Sequence, residues 1–146
     1  MPDDRRVAGA GSRRARVTLY FDTSALAKLV VNESESIALR EWLADRAGTP
    51  LVTNTVGVVE LQRLAAGVSR EASAAAVLLL GRIGHLQLTV AATALAAQLP
   101  PPEVRTLDAL HIASAAGLAE LDALVSYDQR ILQAARGYGL PVASPH

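Results

Sequence analysis

Val17-Thr18-Leu19-Tyr20-Phe21-Asp22-Thr23-Ser24-Ala25-Leu26 is the stretch that decides the fold. Residues 17–21 form a short β-branched and aromatic run, the length of a buried strand. Asp22-Thr23-Ser24 ends it, and Ser24 is expected to cap a helix reaching about Val31. A strand that delivers the chain directly into a helix, with a carboxylate at the joint, is the repeating step of a parallel α/β sheet.

The rest of the chain repeats this step. Asn32, with Glu35 three residues on, is expected to cap a helix to about Arg46. Gly48-Thr49-Pro50 turns the chain into a strand over Leu51–Thr53, and Thr55 is expected to cap a helix with Glu60 in its second turn. Ser69 opens a further helix from Arg70 to about Arg82. Leu86–Val90 reads as a strand, followed by a short helix to Leu99 and the stiff connector Pro100-Pro101-Pro102. Thr106 is expected to cap a long helix to Glu120, with Asp108 in its first turn. Ala123–Ser126 reads as a strand, and Ser126 with Gln129 as a capping box for a helix from Asp128 to Gly137. Pro141–Ala143 supplies an edge strand. Strands alternating with helices predict a three-layer α/β/α sandwich with a central, mainly parallel sheet. No internal repeat or second domain is visible, so residues 17–146 are expected to be one domain.

Composition narrows the function classes. Hydrophobic residues make up 51% of the 146 and charged residues 19%, as in a globular protein. With no cysteine, disulfides and thiolate metal sites are excluded, which fits a reducing cytoplasm. The net charge of zero conceals an asymmetry: residues 1–16 carry five Arg against two Asp, and the body carries nine basic and twelve acidic residues. The body therefore lacks the basic surface of a non-specific nucleic-acid binder, and a polyanionic substrate needs a local patch, a metal ion or both. Residues 1–16 are expected to be a disordered, dispensable tail rather than an RNA-binding arm. Ser12-Arg13-Arg14 superficially suggests an export signal, but Asp22 and Lys28 break the apolar segment that such a signal requires. The longest weakly polar run, Ala72 to Gly81, is too short to span a bilayer, and a cytoplasmic location is expected.

Four carboxylates draw the chemistry together: Asp22, Glu60, Asp108 and Asp128. Parallel α/β sheets gather ligands outside the carboxyl ends of their strands, and all four acids are expected at that edge. Close carboxylates repel one another, and one or two Mg²⁺ or Mn²⁺ ions, which favour oxygen ligands, relieve that repulsion. Such a metal lowers the pKa of a bound water and stabilises a leaving oxygen, so no nucleophilic side chain is needed. Taken singly, each Asp is more ordinarily a helix cap. Glu60 is the informative acid, since its neighbours Val56, Val58, Val59, Leu61 and Leu64 give a structural helix no use for it. Ser24 reads either as a cap or as a donor orienting Asp22, and Ser126 is placed to support the same group. His111 is expected to be a satisfied, semi-buried histidine. Arg105, Lys28 and Arg63 are candidate phosphate contacts, with surface ion pairs as the plain alternative. Trp42 is expected to anchor packing of the second helix.

At these residues the chain resembles the PIN-domain family and, within it, the VapC-type toxins of bacterial toxin–antitoxin pairs. The matching blocks are Tyr20-Phe21-Asp22-Thr23-Ser24-Ala25-Leu26, Val59-Glu60-Leu61, Arg105-Thr106-Leu107-Asp108-Ala109-Leu110-His111-Ile112-Ala113-Ser114-Ala115 and Val125-Ser126-Tyr127-Asp128-Gln129-Arg130. The resemblance implies a Mg²⁺- or Mn²⁺-dependent endoribonuclease that cuts tRNA or rRNA. Asp22, Glu60 and Asp108 would be its core acids, and Asp128 the fourth, more variable one. It also implies a homodimer and inhibition by a VapB-type antitoxin that places a basic side chain among the acids. Leu64, Val68, Val77, Leu78 and Leu80 would supply apolar surface to either partner, or pack in the core. With only 3% aromatic residues, the chain has few platforms for stacking bases, so RNA shape and backbone are expected to dominate recognition. Two alternatives stand beside this reading: a catalytically silent PIN-like module that binds RNA or a partner, and a metal-dependent nuclease acting on DNA.

Overall fold

Residues 17–146 are described by the structure, a computed structural model; the tail expected over residues 1–16 lies outside the described residues. The elements in chain order are β1 (Thr18–Phe21), α1 (Thr23–Val30), α2 (Ser36–Ala44), β2 (Leu51–Asn54), α3 (Thr55–Val68), α4 (Arg70–Leu80), β3 (Gly84–Leu86), α5 (Val90–Gln98), α6 (Thr106–Ala116), β4 (Leu121–Val125), α7 (Gln129–Gly137) and β5 (Val142–Ala143). The five strands form one sheet in the order β3-β2-β1-β4-β5. Every pairing is parallel.

Side-chain alternation along the strands separates two cores. Leu19 and Phe21 of β1, with Ala123 and Val125 of β4, face Leu26, Leu39, Leu61 and Ala76 of α1–α4. Tyr20 and Leu124 point the other way, toward Ala109, Ile112, Ile131 and Ala135 of α6 and α7. The expected three layers follow. The chain builds outward from β1 through β2 to β3 and then returns to the far side of β1 for β4 and β5. That reversal opens a crevice above the carboxyl ends of β1 and β4, where such sheets bind ligands.

Several expected boundaries move, each for a local reason. Asp22, not Ser24, caps α1, its carboxylate accepting from the Ala25 amide. Asn32 caps nothing: α2 begins at Ser36, whose hydroxyl accepts from the Glu33 amide and donates to the Val31 carbonyl. Asn54 caps α3 in place of Thr55, which is the first helical residue. Thr106 likewise begins α6 rather than capping it, and Arg105 stands at the cap position without a side-chain bond. Asp128 caps α7 through the Arg130 amide, which replaces the Ser126–Gln129 capping box. The strand expected over Leu86–Val90 lies at Gly84–Leu86, and Thr89 caps α5 through the Ala92 amide. Gly84 permits that pairing, because a Cβ there would stand 2.7 Å from Val52 Cγ1. The Glu120 end of α6 recedes to Ala116, and β4 runs over Leu121–Val125. Trp42 packs against the first core as expected, with the Arg46 guanidinium 3.7 Å from its ring. Gly48 and Gly139 take φ of 87° and 92° in the turns after α2 and α7, a region that favours glycine.

Candidate active site

Asp22 follows β1 and is 1% exposed. Its Oδ1 accepts from the Ala25 amide at 3.0 Å and from Ser24 Oγ at 2.7 Å, and its Oδ2 accepts from Ser126 Oγ at 2.5 Å. Both serines also hold the loop after β4. Ser24 Oγ accepts from the Tyr127 amide at 2.9 Å, and Ser126 Oγ accepts from the Asp128 amide at 3.0 Å. Asp22 is thereby fastened to Asp128 across the junction between β1 and β4. Burial raises the Asp22 carboxyl above its ordinary pKa, and the bonds from Ser126, Ser24 and Ala25 offset this only in part.

Glu60, in the second turn of α3, reaches the same edge through a different set of bonds. Its Oε1 accepts from Thr23 Oγ1 at 2.7 Å and from His111 Nε2 at 2.7 Å. Burial raises this carboxyl, but the His111 and Thr23 hydrogen bonds outweigh it and hold Glu60 below the usual carboxylate range. His111 Nδ1 stands 2.7 Å from the Tyr20 hydroxyl. A carboxylate can only accept, so Nε2 carries a ring proton and donates it to Glu60, while the Tyr20 hydroxyl pairs with Nδ1 on the other side of the ring. Burial pushes the Tyr20 phenol far up, which keeps its proton available for that bond.

Close packing between α3 and α6 makes the Glu60–His111 contact possible. Asn54 is fully buried; its Oδ1 accepts from the Gly57 amide, and its Nδ2 donates to Ser114 Oγ and the Leu110 carbonyl of α6. A Cβ at Gly57 would lie 2.2 Å from Thr53 Oγ1 and 3.2 Å from His111 Cε1. Only glycine fits there.

Asp108, the third residue of α6, is half-buried with Oδ2 3.6 Å from Arg105 Nε. Burial raises its pKa, Asp128 raises it further, and a smaller push comes from Glu60; Arg105 and His111 oppose them. Asp108, Asp128 and Glu60 therefore share one electrostatic neighbourhood, to which Asp22 is bonded through Ser126. Among the described residues, no three His, Asp or Glu groups stand close enough to hold a metal ion as placed. The donors nevertheless suit a hard divalent cation: all four are carboxylates, and the repulsion that raises Asp108 is what such an ion relieves.

The candidate phosphate contacts divide. Lys28 Nζ lies 2.6 Å from both Glu33 and Glu35, and the bonds from Lys28 and Ser34 hold the Glu35 carboxyl down to about 2. Its charge is committed to the α1–α2 loop. Arg63 is exposed beside Thr23, Glu60 and Leu64 in an open groove, and Arg105 is exposed beside Asp108. The satisfied reading of His111 holds, and its partner proves to be a site acid. Thr23 and Tyr20 escaped the sequence reading; only the placement of Thr23 directly after Asp22 hinted at its part.

The PIN domain family model matches residues 19–137. Ribonuclease VapC35 of Mycobacterium tuberculosis is 39% identical over 130 residues, which cover 87% of this chain and 96% of that protein. Ribonuclease VapC47 of the same species is 42% identical over 132 residues, with coverage of 87% and 96%. Among solved structures, M. tuberculosis VapC20, described as a sarcin-ricin loop cleaving toxin, resembles the chain with a TM-score of 0.67 at 18% identity, covering 88% of this chain and 100% of that one. VapBC2 of Rickettsia felis, bound to a DNA fragment from its promoter, gives a TM-score of 0.70 at 12% identity, covering 89% and 100%. The two structural likenesses establish the fold.

Proposed function

The chain belongs to the VapC group of the PIN-domain family, and from that premise we propose that it hydrolyses phosphodiester bonds in structured RNA as the toxin of a toxin–antitoxin pair. The observation that carries this reading is the bonded network at the carboxyl edge of β1 and β4. There Ser126 ties Asp22 to the Asp128 amide, and His111 and Thr23 fix Glu60.

Asp22, Glu60 and Asp108, with Asp128, would hold Mg²⁺ or Mn²⁺, which when bound supplies a Lewis acid and an acidified water. The chain's own residues prepare that edge. Ser24 and Ser126 orient both oxygens of Asp22 without neutralising it. His111 and Thr23 occupy one oxygen of Glu60 and keep the group ionised. Asp108 and Asp128 repel each other and so concentrate negative potential where a cation would enter. Arg105 and Arg63 flank the acids and would meet the phosphates on either side of the bond to be cut.

Exposed Leu64, Val68, Val77 and Leu78 on α3 and α4 would receive a second copy or a VapB-type antitoxin, whereas Leu80 belongs to the core. Among the described residues no helix is long and apolar enough to cross a membrane. The test is mapping of new RNA 5′ ends after induced expression, with Asp22→Asn as control. Discrete ends that require Asp22 support the reading. Identical ends from the variant, or breaks confined to DNA, oppose it.

A further inference from the structure

A cleft of about 650 Å³ opens between the Pro100–Arg105 connector and α7, and Asp108 forms part of its wall. Pro100, Pro101, Val104 and Ala134 give it an apolar lining, and the side chains of Arg105, Arg130 and Gln133 supply polar groups. Gly137 also lines the cleft, and a Cβ there would meet nothing within 4 Å. The volume is that of a small-molecule site. Two arginines are balanced by Asp108 and Glu103, so the cleft is not a trap for a bare anion. An apolar slot with cations beside it and one amide able both to donate and to accept suits a nucleotide.

We propose that this cleft holds one unpaired nucleotide of the RNA, next to the bond being cut. The proposal rests on the ribonuclease reading above. The base lies against the proline, valine and alanine wall, where dispersion replaces the aromatic stacking that the cleft's lining cannot offer. Gln133 reads the base edge through its amide. Arg105 and Arg130 hold the flanking phosphates. Because Asp108 belongs to both cleft and acid edge, a nucleotide seated here presents its neighbouring phosphate to the carboxylates. A structured RNA that splays out a single nucleotide would thus be selected by shape and by one base together.

The test uses the full chain with the four ribonucleoside monophosphates as probes and bulk tRNA as substrate. Amide resonances of Val104, Gln133, Ala134 and Gly137 shift on addition of at least one monophosphate, and Gly137→Leu, which adds a bulky side chain at the cleft wall, abolishes the shifts. Gln133→Ala keeps the wild-type melting temperature and raises KM for RNA by about tenfold, the cost of losing roughly one polar contact, with kcat little changed; Gly137→Leu, which obstructs the wall, raises KM at least as much. Wild-type KM in Gly137→Leu, or shifts that bypass these four amides, would overturn the proposal. Failure of the wild-type chain to cut any RNA would instead overturn the ribonuclease reading, and the amide shifts alone would then decide whether the cleft binds nucleotides.

Discussion

Asp22 is held in a way that sets stability against function. It is buried with three hydrogen bonds, and its folded-state pKa lies above the ordinary 3.8 because burial outweighs those bonds. A carboxyl raised on folding binds more protons folded than unfolded, so it favours the folded state as pH falls toward 3.8 and destabilises it above the raised value. Glu60 acts in the opposite sense: its folded pKa is lowered, and its contribution is lost as pH falls through that lowered value. In metal-free protein, Asp22→Asn should therefore raise the melting temperature at pH 7, by a margin that shrinks on acidification. A variant less stable than wild type at pH 7 would mean that the hydrogen bonds outweigh burial. His111→Ala removes one holder of Glu60 and orphans Tyr20. It should cut activity about 10–100-fold, as loss of a ligand-orienting partner does, whereas His111→Asn should recover part of it. Equal activity in His111→Ala and wild type would reduce the histidine to packing.

At the scale of elements, α3 bears two glycines with opposite roles. Gly57 faces Thr53 and His111 with no room for a Cβ, whereas Gly67 meets nothing within 4 Å. Gly57→Ala should cost about 1–3 kcal/mol through overpacking and should lower activity by displacing Glu60. Gly67→Ala should be neutral or stabilise by up to about 1 kcal/mol through helix propensity. Urea titration of both variants checks the contrast, and equal effects would contradict the packing described. The order and type of the elements were legible in the sequence because apolar runs and turn residues alternate cleanly. Their caps were not. In Asn54-Thr55 and Arg105-Thr106 the expected Thr cap is the first helical residue instead; for the first pair a tertiary contact decides, since Asn54 also bonds to α6, whereas Arg105 holds the cap position without a side-chain bond. The Leu86–Val90 expectation failed because β3 pairs through Gly84, where close approach to Val52 matters more than β propensity. Asp22, Glu60, Asp108 and Asp128 were legible as acids placed at strand and helix junctions. Their holders were less so, since Glu60 meets His111 across 51 residues and Tyr20 meets His111 across 91, and no local pattern carries either contact.

For the whole molecule, the switch in strand order and the acid edge are one feature: the reversal at β1 brings Asp22 beside the loop after β4. The opposite character appears on α3 and α4, where Val77 is 62% and Leu78 66% exposed. Exposed apolar side chains on these helices point to a partner; we propose that a second copy docks there, so Val77→Glu with Leu78→Arg should abolish self-association in sedimentation equilibrium, and unchanged self-association would move the interface elsewhere. Activity should require the acids to act together as one metal-dependent centre. The most direct test is cleavage of a single tRNA, and of its DNA counterpart, by wild type and by the Asp22→Asn, Glu60→Gln, Asp108→Asn and Asp128→Asn variants, with Mn²⁺ or with EDTA. Wild type should cleave RNA only with metal, the first three variants should not cleave it, and Asp128→Asn should cleave it at a reduced rate. Cleavage in EDTA, or wild-type rates from Asp22→Asn and Asp108→Asn, would rule out a metal-dependent centre built on these acids.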